Sequence, residues 1–221
     1  MGASSSRPEP VGVLLLGLDA VGKTTLLYQM QRLSSSTATI ETSTPTIGMN
    51  VEQLEMGGLR FVSWDIGGSL KVRPLWHHYF QITQGLIFVV DASDLDRRDT
   101  ERGELRELLR DERLQHWPLL VLANKQDLPR ARTVAQVTDD LHLDSLIGRH
   151  WFIAPAAFAT GDGIDALDWM RVAVGAGKKP AKRNWTALAA NLDTSGELLT
   201  IWAAGRSNRS VESDVQDAEN A

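Results

Sequence analysis

Cysteine is absent from all 221 residues of this chain. That excludes disulfides, thiolate metal sites, palmitoylation and prenylation together, and it suits a reducing cytosol. Long apolar runs are missing too: no stretch of about 18 or more apolar residues occurs, so no membrane-spanning helix is expected. There is no basic excess, since the formal net charge is −5, and the overall balance gives no argument for nucleic acid. The opening MGASSSRPEP lacks the apolar centre of a secretory signal. What remains is a chain of 43% hydrophobic residues, enough for one substantial core with some length left over.

The apolar residues fall into a strand–helix rhythm. VGVLLL, residues 11–16, is a short apolar run ending at Gly17, and it reads as a buried strand. Residues 23–31 place Leu26, Leu27 and Met30 at helical spacing. The Ser/Thr-rich residues 34–44 read as a loop. Residues 49–56 and 59–65 flank Gly57-Gly58 and predict a β-hairpin. GLIFVVD (residues 85–91) and PLLVLAN (residues 118–124) are continuous apolar runs, the pattern of strands covered on both faces. Helices are expected within 100–113, from Val134, and from Ile164, with a last strand at 151–156. Such alternation implies a mostly parallel α/β sheet with right-handed crossovers. One domain is expected over residues 11–175. A flexible leader (1–10) precedes it, and a tail (176–221), basic then acidic and partly disordered, follows.

GLDAVGKT, residues 17–24, fits G-x-x-x-x-G-K-[ST] between a strand and a helix, the setting that motif requires. Glycines let the backbone wrap so that N–H groups face phosphate oxygens, and the helix N-terminus adds partial positive charge. Lys23 would bridge the β- and γ-phosphates, and the Thr24 hydroxyl would ligate Mg²⁺. Asp65, ending a neighbouring strand, fits the acidic residue that holds Mg²⁺, often through water, and Thr46 offers a second hydroxyl. Gly68 would give its N–H to the γ-phosphate. NKQD, residues 124–127, follows a buried strand. Asp127 can accept from guanine N1–H and the 2-amino group, and adenine offers neither, so an unpaired buried carboxylate would penalise it. Asn124 would tie the loops together while the Lys125 stem packs along the nucleotide. A kinase or ATPase would share the phosphate loop but lack the Asp127 signal.

GLDAVGKTTLLY, PTIGMNVE, WDIGG, RPLWHHYFQITQGLIFVVDASD, LANKQDLP and GDGIDALDW together resemble the Arf/Arf-like family of Ras-type small GTPases over about residues 11–174. The resemblance implies a six-stranded sheet flanked by helices, GTP/GDP and Mg²⁺ binding, and switching at membranes. It implies nucleotide contacts from Asp19, Ala20, Val21, Gly22, Lys23, Thr24, Thr25, Gly68, Asn124, Lys125, Asp127, Ala157 and Phe158. Mg²⁺ would take Thr24, Thr46 and Asp65, and hydrolysis would involve Lys23, Thr46, Gly68 and Ser69. Effectors would meet Met49, Trp64 and Tyr79 on switch loops joined by a hairpin that slides in register. An exchange factor, effectors and a GAP are the implied partners. The implied location is cytoplasmic, with reversible attachment to Golgi or other endomembranes.

Three departures from the family pattern bear on function. Ser69 stands where the family has the glutamine that orients the attacking water, and it has no amide to hold water and phosphate together. Slow turnover is therefore expected, with impaired rescue by a GAP, an effect worth about 10⁵-fold in Ras; a bridging water is the alternative. Phe158 adds bulk to a turn whose backbone N–H meets the guanine oxygen, unless its ring turns into the core. At the N-terminus, Gly2 with Ser6 fits M-G-x-x-x-[ST] for myristoylation, but two prolines deny an amphipathic helix. One acyl chain attaches only marginally, with a constant of about 10⁴ M⁻¹. KKPAKR, residues 178–183, is either the second membrane signal or a solvated linker. His77 and His78 have no third ligand in view, and Trp185 and Trp202 either pack the tail or dock a partner.

Overall fold

The structure, a computed structural model, describes residues 10–33, 41–43, 51–63, 80 and 83–175. Its seven strands form one sheet: β1 Val11–Leu16, β2 Glu41–Ser43, β3 Val51–Met56, β4 Leu59–Ser63, β5 Thr83–Asp91, β6 Leu119–Asn124 and β7 Trp151–Pro155. Spatial order is β2-β3-β4-β1-β5-β6-β7. The ladders β4–β1, β1–β5, β5–β6 and β6–β7 are parallel, while β2–β3 and β3–β4 are antiparallel. The mostly parallel α/β class expected from the apolar runs is what forms. The count is one higher than six because of β2, three residues taken for loop. Its register, Glu41 opposite Gln53 and Ser43 opposite Val51, is supplied by β3 at the sheet edge and not by any apolar pattern of its own.

Among the described residues four α-helices cover the sheet: α1 Lys23–Leu33, α2 Arg98–Leu109, α3 Val134–Leu141 and α4 Leu167–Ala173. Strand alternation divides the apolar residues between two layers. Leu14 and Leu16 of β1 and Phe88 and Val90 of β5 pack with Leu105 of α2 and Val137 of α3. Val13 and Leu15, with Ile87 and Val89, pack instead with Leu26 and Met30 of α1 and Met170 of α4. Both faces of the central strands are thus dry, which is why they read as unbroken apolar runs. Among the described residues no helix is long and apolar enough to cross a membrane.

The chain leaves β1 for the hairpin on one side and for β5, β6 and β7 on the other. An open sheet of this kind presents its crevice where strand order reverses, beyond the carboxyl ends of the strands. Leu16, Asp91, Asn124 and Pro155 end the four strands at that edge, and the motif residues follow them. The hairpin turn Gly57-Gly58 is as expected.

Candidate functional site

The loop after β1 is shaped by contacts that exclude side chains. A Cβ on Gly17 would lie 2.4 Å from the Val89 carbonyl oxygen, and one on Gly22 would lie 2.3 Å from Asn124 Nδ2. Gly22 also has φ +106, a region closed to most L residues. Ala20 adopts φ 59. The buried Lys23, first residue of α1, turns back over the loop, where Nζ donates to Gly17 O at 2.8 Å and Leu18 O at 2.6 Å. A loop wrapped around an ammonium at a helix N-terminus is suited to an oxyanion of high charge.

Asn124 joins this loop to the others. Its Nδ2 donates to Val21 O at 2.7 Å, and its Oδ1 accepts from Phe158 N at 3.0 Å. A trans peptide sends its C=O and N–H in opposite directions, so holding Val21 O turns the Gly22 N–H away from Asn124. One buried side chain therefore fixes the phosphate loop, the end of β6 and the turn after β7. Substituting Gly22 with Ala should break this junction, because the new methyl and Asn124 cannot share the space. The expected cost is about 1–3 kcal/mol of backbone strain together with lost nucleotide-dependent stabilisation, read by thermal unfolding with and without GDP.

Lys125 has φ 66 and its Nζ pairs with Asp91 Oδ2 at 2.6 Å. Asp91 also accepts from Ser93 N and Ser93 Oγ. Burial alone would push this carboxyl up, but Lys125 and Ser93 together outweigh it and hold it below the ordinary 3.8. The three left-handed non-glycine residues among those described are Ala20, Lys125 and His142. His142 caps a helix, and the other two lie in the site, where such strain is commonly retained for a purpose.

Behind this pair lies a buried charge cluster that the sequence did not announce. Arg132 Nη2 donates to Glu101 Oε2 at 3.0 Å and to Asp91 O at 2.8 Å, and Nη1 donates to Asp140 Oδ2 at 3.0 Å. Glu101 Oε1 accepts from Asp91 N. Burial pushes the Glu101 carboxyl up to about 7, with Arg132 drawing it back only in part. Glu101 and Arg132 are 31 residues apart and sit on helix and loop segments that read as solvated charge, so periodicity carried no sign of them. Asp91 was more legible, as a carboxylate closing an apolar strand.

The structure thus gathers Asp19, Ala20, Val21, Gly22, Lys23, Thr24, Thr25, Asn124, Lys125, Asp127, Ala157 and Phe158 at one edge of the sheet. Thr24 and Thr25 are exposed in the first turn of α1, and Asp127 is exposed as well. With Asp127 exposed, the expected penalty on adenine would arise when a base covers the carboxylate. Phe158 is fully buried, packed in the layer of α1 and α4. Its N–H is engaged by Asn124 and that of Ala157 by Asp162 O, so both amides of this turn donate within the protein. Gly2, Thr46, Met49, Trp64, Asp65, Gly68, Ser69, His77, His78, Tyr79, the KKPAKR segment, Trp185 and Trp202 lie outside the described residues. So do most of the leader and all of the tail after residue 175.

The cradle made by Gly17, Gly22 and Lys23 fits a polyphosphate by the close approach of its backbone and the placement of its cation. Thr24 supplies one hydroxyl of the kind Mg²⁺ takes. Among the described residues no group of three His, Asp or Glu could hold a metal ion, and the other expected ligands, Thr46 and Asp65, lie outside them. The sequence model of the ADP-ribosylation factor (Arf) family matches residues 4–174, which take in every described strand and helix. The chain belongs to the Arf family of GTP-binding small GTPases.

Proposed function

We propose that this chain is a slow GTP/GDP switch that recruits partners at a membrane surface. The observation that carries the reading is Asn124, which ties the phosphate loop at Val21 to the base loop and to Phe158, so that one ligand spanning phosphate and purine would feel both ends. Lys23 would leave its loop carbonyls for the β- and γ-phosphates, and the loop N–H groups would face the same oxygens. Asp127, exposed and ready to be covered, would select guanine. Thr24, Thr46 and Asp65 would hold Mg²⁺, which offsets charge on the phosphates when bound. Gly68 would sense the third phosphate, so the loops near Thr46 and Gly68 would change with nucleotide state. Met49, Trp64 and Tyr79 would present that change to effectors, with Met49 shifting partner choice because the family has Phe there. Exchange factor and GAP are the corresponding regulators. Membrane contact would come from a myristoylated Gly2 reinforced by the cluster at 178–183.

Ser69 sets the rate. A hydroxyl on a single methylene, where glutamine carries an amide on two, cannot bridge water and γ-phosphate, so in-line attack loses its orienting amide. The same substitution supports a second reading, a GTP-loaded module that does not hydrolyse and is governed by exchange or abundance. Single-turnover GTP hydrolysis distinguishes them. Ser69→Gln is expected to accelerate it by about tenfold. A wild type as fast as the variant removes the slow-switch idea, and a wild type with no turnover selects the module. The base and phosphate count of the nucleotide that co-purifies tests both ends of the pocket at once.

A further inference from the structure

The phosphate loop carries a charge of the wrong sign. Asp19 is its third residue, and its side chain is 70% exposed at the rim of a cradle suited to a polyanion. A carboxylate there would repel phosphate oxygens, and one cation from a neighbouring loop is placed against it. Arg97, immediately before α2, reaches across from the end of β5. Its Nη1 donates to Asp19 O and to Asp19 Oδ1, both at 3.1 Å. The other side of the guanidinium is fixed: Nε donates to Asp94 Oδ2 at 2.6 Å, and the Arg97 N–H donates to Asp94 Oδ1. Asp94 N in turn donates to Asp91 O. The clasp therefore runs from the strand end that anchors Lys125 to the rim of the phosphate loop.

As an isolated surface pair this contact would contribute little to stability. Its effect on a bound polyphosphate is different, because several ligand charges would interact with whatever net charge the rim carries. We infer that Arg97 is a positioning residue for the nucleotide: by clasping both the carbonyl and the carboxylate of Asp19 it cancels the loop's own negative charge and sets how fast nucleotide leaves. This rests on the nucleotide reading above and goes beyond it, since Arg97 belongs to neither the phosphate nor the base motif. A packing role alone would make Arg97 matter equally with or without the Asp19 charge. A charge-cancelling role makes its importance depend on that carboxylate.

The test is release of a fluorescent GDP analogue from the full chain with Mg²⁺ present, chased by excess GDP. Arg97→Ala is expected to release it about tenfold faster, the scale of a lost charge-assisted contact. Asp19→Asn should slow release relative to wild type, because the rim then carries one negative charge fewer while Arg97 stays held by Asp94. Adding Arg97→Ala to Asp19→Asn should produce a smaller acceleration than Arg97→Ala gives in wild type, by about threefold or more. The acceleration in wild type should also shrink as salt rises from about 0.05 to about 0.5 M. Arg97→Lys, which keeps the charge, should stay within about threefold of wild type and guards against a misfolded alanine variant. The inference is overturned if Arg97→Ala is within about twofold of wild type, if both backgrounds accelerate equally, or if Asp19→Asn speeds release. A wild type that takes up no GDP analogue refutes the nucleotide reading instead.

Discussion

Replacing Asp127 with alanine is expected to cost guanine nucleotides about 10²- to 10⁴-fold in affinity, while adenine nucleotides lose nothing and are relieved of an unpaired carboxylate. The range follows from two hydrogen bonds to a charged acceptor, each worth about 1.5–3 kcal/mol. The structure bears on this in two ways. Asp127 is exposed, so removing it strands no buried group and the fold should tolerate the change. It also lies in the turn that follows β6, held by Gln126 N donating to Ala156 O at 3.0 Å and Leu128 N to Lys125 O at 3.0 Å, so the turn keeps its shape without the carboxylate. The loss should therefore appear in base selectivity and not in unfolding. Competition between GDP and ADP for a fluorescent guanine nucleotide measures it directly. Asp127→Asn offers a donor where an acceptor stood, so it should favour a base with oxygen at C2, such as xanthine. If alanine leaves the ratio of GDP to ADP affinity untouched, the base end of the site has been misplaced.

Much of this geometry was legible because the residues involved sit at strand ends or in glycine-containing turns. The apolar runs VGVLLL and PLLVLAN became β1 and β6, and their ends delivered Gly17 and Asn124 to one edge. Asn124 tying the loops together was also expected, and its two hydrogen bonds give that role a form. Burial of the Phe158 ring was one of the outcomes expected from the sequence, and the packing of α1 and α4 selects it. Two features were not legible. β2 has a strand conformation only because β3 offers it an edge, so its own residues 41–43 carry no signal. The partners of Lys125, Glu101 and Arg132 are charges distant in sequence, brought together by parallel crossovers. Charged residues in solvent and charged residues in a buried cluster look the same in one dimension.

That buried cluster yields the second large effect. Arg132→Ala is expected to destabilise the fold by about 3–5 kcal/mol at pH 8, the usual consequence of removing one partner from a buried ion pair. Arg132 is 5% exposed and Glu101 1%, so the abandoned carboxylate has no route to bulk water. The Asp91 and Ala92 carbonyls lose donors at the same time. The penalty should depend on pH with a definite sign. Burial, opposed by Arg132 and the Asp91 N–H, lifts the Glu101 carboxyl from 4.5 to about 7. A carboxyl raised on folding contributes stability that is complete below its unfolded value and is lost as pH rises through its folded value. In wild type, then, Glu101 makes stability decline between roughly pH 4.5 and 7, and Glu101→Gln should flatten that decline. Asp91 does not disturb the window, because it is held below 3.8 and its stabilising contribution is in place above that. Without Arg132 the Glu101 carboxyl should be harder still to ionise. At about pH 5 it can remain neutral and the variant loses little, whereas at about pH 8 it must either bind a proton or stand as an unpaired anion. Urea unfolding at these two values, with nucleotide held constant, should give a clearly larger loss at the higher pH. Equal losses would mean that Arg132 acts through its carbonyl contacts and that Glu101 is not the group it compensates.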